Sequence, residues 1–211
     1  KDVKVTKRSE TTYTFQMPDS KVTVEAAFAK EGTVVDQPLF SDVSKNDYFH
    51  DAVEWAVDKG ITSGTGGTTF SPNASCTRGQ MVTFLWRAAG SPAPKSAETP
   101  FTDVNKGDYF YDAVLWAVEQ GITSGTSATT FSPNATVTRG QTVTFLWRAN
   151  ASPVVNYAMD FTDVAADAYY AEAGRWAVSE GVTAGTGDKA FSPDADCTRA
   201  QIVTFMYRDA R

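Results

Sequence analysis

FSDVSKNDYFHDAVEWAVDKGITSGTGGTTFSPNASCTRGQMVTFLWRAAG, residues 40–90, decides the fold, because the chain carries the same block two more times. Residues 108–149 read DYFYDAVLWAVEQGITSGTSATTFSPNATVTRGQTVTFLWRA, and residues 176–208 read WAVSEGVTAGTGDKAFSPDADCTRAQIVTFMYR. Phe40, Phe101 and Phe161 correspond, as do Trp55, Trp116 and Trp176, Gly60, Gly121 and Gly181, and Arg78, Arg139 and Arg199. Self-similarity at a fixed period marks an array of one structural unit. Any site on that unit is presented three times, so weak single sites bind tightly through avidity.

Within the block, Phe49, Ala52, Val53 and Ala56 fall at i, i+3, i+4 and i+7, the spacing of one apolar helix face. A helix is predicted from Tyr48 to Lys59, with Tyr48, Trp55 and Val57 widening the face. Gly60 is placed to end it in the left-handed conformation, followed by Ile61 for the accompanying apolar contact. Thr77 and Gln80 have capping-box spacing, so a second helix starts there. Its stripe is Met81, Val82, Leu85 and Ala89, with Phe84 and Trp86 alongside. Between the helices runs a loop rich in Gly, Ser and Thr whose one large apolar residue, Phe70, is its anchor to the core.

Outside the blocks lie two short proline-containing linkers, SPAPKSAETP (residues 91–100) and ASPVVNYAMD (residues 151–160). Such linkers imply modules packed together rather than strung out. Two short helices bury too little to fold alone, so three units sharing a core are predicted: a mainly α fold of three helix-loop-helix modules in a pseudo-threefold bundle. The boundaries read 37–92, 93–152 and 153–211. Residues 1–36 differ. Thr12–Gln16 and the alternating KVTVEAAF (residues 21–28), joined by Met17-Pro18-Asp19-Ser20, read as a β-hairpin that either packs on the repeats or is the tail of an upstream β-domain; with its Met-Pro-Asp-Ser turn it resembles the last strands of bacterial surface β-repeats, which implies the tail of an upstream β-repeat domain.

The net charge of -6 with no basic stripe argues against a nucleic-acid partner. No apolar run approaches the ~20 residues that span a bilayer, so no membrane insertion is expected. Cys76 and Cys197 share one repeat position, which is Val137 in the second copy; a slot accepting Cys or Val reads as small, apolar and buried. Two separate thiols are expected, on the reasoning that equivalent positions of different modules rarely come close enough for a disulfide. His50 is the single histidine and is Tyr111 in the second copy, so no repeated Ser-His-Asp set or metal-ligand cluster can be assembled. The recurring acids Asp51, Asp112 and Glu172 read as solvated helix-surface groups. No catalytic residue, metal or cofactor is assigned.

Phe-x-Asp-Val, then Trp-Ala-Val, Gly-Ile (Gly-Val in the third copy), Phe-Ser-Pro and Thr-Arg-x-Gln, in that order in all three copies, resemble the S-layer homology module. The resemblance implies a three-pronged pseudo-trimer with a central helical bundle. It also implies an extracellular, non-catalytic anchor on the bacterial cell wall or S-layer, as a monomer. The implied ligand is a secondary cell-wall polysaccharide, often pyruvylated, held in grooves between modules. The family's arginine motif usually reads Thr-Arg-Ala-Glu; here glutamine replaces the glutamate in every copy, which preserves capping and removes a carboxylate.

On this reading Arg78, Arg139 and Arg199 sit at helix N-termini, where backbone donors favour an anion, and a guanidinium grips a carboxylate by two parallel hydrogen bonds. The alternative is structural pairing with Asp42, Asp103 and Asp163, which themselves either accept sugar hydroxyls or cap the next helix. Gly64, Gly125 and Gly185 either admit a ligand to the loop backbone or serve turn geometry. Trp55, Trp116 and Trp176 either stack on a sugar or belong to the core. Self-assembly or protein interaction, through the open edge of the hairpin, is the competing function.

Overall fold

Short amphipathic helices persist only where another surface covers their apolar face, and in this chain that surface is supplied by the neighbouring module. The computed structural model describes residues 5–7, 13–15 and 39–211. Among them are strands β1 (Val5–Lys7) and β2 (Tyr13–Phe15). Six helices follow: α1 (His50–Asp58), α2 (Arg78–Ala88), α3 (Tyr111–Glu119), α4 (Arg139–Ala149), α5 (Ala171–Ser179) and α6 (Arg199–Asp209). Each module contributes two helices. The second helix of one module packs on the first helix of the next: α2 on α3, α4 on α5, and α6 back on α1. The modules therefore close head to tail into a pseudo-threefold ring.

At the centre of the ring the chain segments entering α2, α4 and α6 meet. Cys76 N–H donates to Cys197 O, Val137 N–H to Cys76 O, and Cys197 N–H to Val137 O, each at 2.9 Å. Three antiparallel bridges, Thr77 to Thr136, Thr138 to Asp196 and Ser75 to Thr198, flank this closed triangle. Backbone groups buried on the axis are thus paired across modules, as buried peptide groups must be. The two thiols are free and buried. Equivalent positions do meet, contrary to the reasoning from sequence, because a threefold axis brings them together.

The helix signals act as read, with shifts at the ends. All three capping boxes form: Thr77, Thr138 and Thr198 accept from the N–H of Gln80, Gln141 and Gln201, whose side chains accept in return. Gly60 is left-handed at φ 70° and follows the C-cap Lys59. The helix α1 starts at His50 rather than Tyr48; Tyr48 is exposed, whereas Phe49, Ala52, Val53 and Ala56 are buried. Ala89 lies past α2 and is exposed, not part of its stripe. Phe70, Phe131 and Phe191 are fully buried and anchor their loops.

At the N-terminal end, β2 falls in the strand expected over residues 12–16 and pairs antiparallel with β1, Val5 opposite Phe15. The β1 segment was not singled out from sequence. The expected turn at residues 17–20 and strand at 21–28 lie outside the described residues. Linker residues 95–97 are fastened to the second module: Glu119 accepts from the N–H groups of Lys95 and Ser96, and the Tyr111 hydroxyl donates to Ala97 O. No helix among the described residues is long and apolar enough to cross a membrane.

Candidate functional site

Each boundary between modules is built by an arginine that leaves its own module. Arg199, first residue of α6, donates from Nε to Phe70 O of the first module at 2.9 Å and lies 4.9 Å over the Phe70 ring and 5.4 Å over Phe84. Arg78 does the same to Phe131 O and the rings of Phe131 and Phe145 in the second module. Arg139 reaches Phe191 O and the rings of Phe191 and Phe205 in the third. All three arginine residues are buried, at 3% exposure. Burial lowers their pKa, yet an arginine remains charged at any ordinary pH.

Helix N-termini carry orphan donors that attract anions, but here the protein takes them. The N–H groups of Arg78 and Gly79 donate to Ala135 O and Pro133 O, those of Arg139 and Gly140 to Ala195 O and Pro193 O, and those of Arg199 and Ala200 to Ala74 O and Pro72 O. The third donor of each helix goes to the capping threonine. The guanidiniums differ at Nη2: that of Arg139 donates to Thr183 Oγ1 at 3.0 Å and that of Arg199 to Thr62 Oγ1 at 3.4 Å, while that of Arg78 is buried with no partner among the described residues.

The aspartates do something that neither reading anticipated. Asp42 accepts from the N–H groups of Phe70 and Ser71, both at 2.8 Å. Asp103 binds those of Phe131 and Ser132, and Asp163 those of Phe191 and Ser192. Ser71, Ser132 and Ser192 are left-handed, with φ of 57°, 58° and 56°, a costly backbone for a non-glycine residue. Each carboxylate holds that turn in place. No aspartate caps a helix, and none of the three makes an ion pair with an arginine among the described residues. Each still favours the charge of a buried arginine electrostatically, Asp103 for Arg78, Asp163 for Arg139 and Asp42 for Arg199. For Asp163, partial burial raises the pKa, but the amides of Phe191 and Ser192, with Arg139 behind them, outweigh it and leave the carboxyl below its usual value.

Gly64, Gly125 and Gly185 have φ of 90°, 90° and 87°. A Cβ on Gly125 would stand 2.5 Å from both a Phe101 ring carbon and Thr130 O, with like conflicts at the other two. Close packing on the module's first phenylalanine is therefore what these glycines provide. Trp116 and Trp176 are core residues at 9% and 3% exposure, which corrects the sugar-stacking option for them. Trp55 is half-buried against Tyr207, ring centroids 5.6 Å apart.

The exposed aromatic surface belongs instead to Tyr48, Tyr109 and Tyr169, at 65%, 60% and 60% exposure, each ring set edge-on to the aromatic residue after it. Tyr109 stands at the boundary. Partial burial raises its pKa, while the Thr77 hydroxyl, Arg199 and Arg87 act in the opposite direction. Arg139 and Arg208 occupy the equivalent surroundings of Tyr48, and Thr138 and Arg78 those of Tyr169. Arg87, Arg148 and Arg208 are each tied to the loop by a hydrogen bond to Ile61 O, Ile122 O and Val182 O. Each boundary thus presents an exposed tyrosine with arginine charge from outside its own module: two arginines for Tyr48 and Tyr109, and Arg78 alone for Tyr169. The sequence shows a tyrosine recurring at one repeat position, but by residue type it reads as part of the apolar helix face, and only the later start of the helix turns it to solvent.

The S-layer homology domain matches residues 39–82, 100–143 and 160–203. The chain belongs to the S-layer homology domain family. It is 29% identical over 181 residues to the surface-layer 125 kDa protein of Lysinibacillus sphaericus, covering 81% of this chain and 15% of that protein. It is 25% identical over 174 residues to the S-layer protein sap of Bacillus anthracis, 79% of this chain and 20% of that protein. An endoglucanase of Bacillus sp. (strain KSM-635) is 34% identical over 110 residues, 52% of this chain and 11% of the enzyme. The chain spans a fifth or less of the length of these relatives. S-layer homology modules of this kind place it at the bacterial cell surface, as a cell-wall anchoring module.

Proposed function

We propose that the three modules, with boundaries at 37–92, 93–152 and 153–211, form a non-catalytic anchor that binds cell-wall polysaccharide in the grooves between them. Residues 1–36 are the tail of a preceding β-repeat domain in this reading. The observation that carries the proposal is the threefold recurrence of an exposed tyrosine at a module boundary with arginine charge from a neighbouring module in its surroundings, Arg87 and Arg199 around Tyr109 being one set. An aromatic face suits the apolar side of a sugar ring. Arg87, Arg148 and Arg208, which keep part of their surface in solvent, suit an acidic substituent such as a pyruvate ketal, whose carboxylate matches the guanidinium fork. Asp42, Asp103 and Asp163, with Gly64, Gly125 and Gly185, fix the loop that walls each groove. The net charge of -6 opposes an anionic glycan only at long range, since salt screens beyond about 8–10 Å.

The test is co-sedimentation with wall sacculi before and after extraction of the non-peptidoglycan polysaccharide. Binding is expected before and not after. Replacing Tyr48, Tyr109 and Tyr169 together by Ala should weaken binding roughly tenfold or more, since ~1.4 kcal/mol is already tenfold, while the exposed positions leave folding intact. Unchanged binding by that variant, or binding that survives extraction, rules out polysaccharide recognition in these grooves. The buried arginines are poorer probes, because their loss also breaks the ring.

A further inference from the structure

The third module is held to the ring by two non-covalent boundaries, Arg139 reaching into it and Arg199 reaching out of it, and by one tether, residues 151–160. The two linkers are unequal. In the first, Trp86 Nε1 donates to Pro92 O, and Glu119 and Tyr111 take hold from Lys95 onward. Only two residues lie between the fastenings. In the second, Trp147 Nε1 donates to Pro153 O, but Tyr111 and Glu119 are replaced by Ala171 and Ser179, whose side chains make no hydrogen bond to the linker among the described residues. Val155 is half-buried against the core, and the next holds are Met159, placed beside Gly174, and the ion pair of Asp160 with Lys189 at 3.1 Å. Residues 154–158 make no hydrogen bond among the described residues. Val154 is 90% exposed and Tyr157 41%.

The start of this linker is also strained. Ala151 and Ser152 have φ of 61° and 54°, where the equivalent positions leading into the first linker are Gly90 and Ser91 at 84° and 54°. An alanine in the left-handed region is held there by its surroundings, and extending the linker releases it. The ten residues of the linker reach about 33 Å when extended, enough to pass from one ring to an adjacent one. The boundaries are heterologous, each joining two different surfaces, so a module from another chain fits as well as the chain's own.

We propose that two copies of this chain exchange their third modules, residues 151–160 acting as the hinge, to give a dimer of two complete rings. Each ring then contains the first and second modules of one chain and the third module of the other, with every boundary preserved. The exchange requires no ligand and is independent of the polysaccharide reading.

The full chain is unfolded in denaturant, then refolded at ~1 mM, on the order of the effective concentration of a short flexible tether, and at about a hundredfold lower concentration. Mass is read by light scattering after size exclusion. The expected result is a species of twice 22.8 kDa in the concentrated sample that persists on dilution, because dissociation requires two boundaries per module to break. Ala151→Gly, and separately Ala171→Tyr with Ser179→Glu, should each lower its yield severalfold by stabilising the closed linker. Monomer at both concentrations overturns the proposal. So does a dimer that dissociates on mixing, or one whose yield both variants leave unchanged.

Discussion

At the residue scale, the most consequential side chains are those that hold the boundaries between modules. Arg199→Ala removes a charge-assisted hydrogen bond to Phe70 O and the stack on two rings; a loss of about 2–3 kcal/mol is expected in urea unfolding. Arg199→Lys should not restore it, because an ammonium lacks the planar fork and stacks poorly. Gly125→Ala meets both a left-handed backbone and contacts at 2.5 Å, and should cost a similar ~2–3 kcal/mol. The Asp163 carboxyl, whose folded pKa is depressed, contributes stability that is present above the unfolded value near 3.9 and lost as pH falls through the folded value. Acid titration of the melting temperature should therefore show a loss below about pH 4 that Asp163→Asn removes. Burial pushes the Cys76 thiol up to about 12 and raises Cys197 as well. Neither should react with a thiol reagent in the native protein near pH 8, and both should react in denaturant.

At the element scale, the reading of the repeats was successful where a signal is local. A capping box needs only a threonine, three residues and a glutamine, so Thr138→Ala should cost about 1 kcal/mol, measured by thermal unfolding. Left-handed glycines after the helices and buried loop phenylalanines were equally legible, because backbone conformation and apolar content are properties of the short segment. The misjudged parts depend on distant residues. Tyr48 fits an apolar helix face by type, but that helix begins two residues later, so its ring points to solvent. The aspartates following Phe40, Phe101 and Phe161 have no local feature showing that amides 28 and 29 residues away will bind them. The first-turn acids Asp51, Asp112 and Glu172 are exposed, as read, and there they complement the helix dipole.

At the scale of the whole molecule, every module lends an arginine to the next and receives a helix from the one before. No module has a complete core of its own, so unfolding should be a single transition, coincident by circular dichroism and tryptophan fluorescence. Separate transitions for the modules would contradict this account of the ring. The repeat, the helices and their caps, the small buried slot at Cys76, Val137 and Cys197, and the family are all readable from the order of the residues. Those depend on spacing and residue type within about sixty residues, and three copies of one pattern carry the same information three times. Tertiary structure alone decided that the slot lies on a threefold axis and that the helix N-termini are filled by neighbouring carbonyls. It also decided that the arginines are buried in the next module and that the tyrosines are exposed beside them. These facts follow from closure of the ring, which brings together residues as far apart in sequence as Trp55 and Tyr207, and the spacing within one repeat carries no record of that distance.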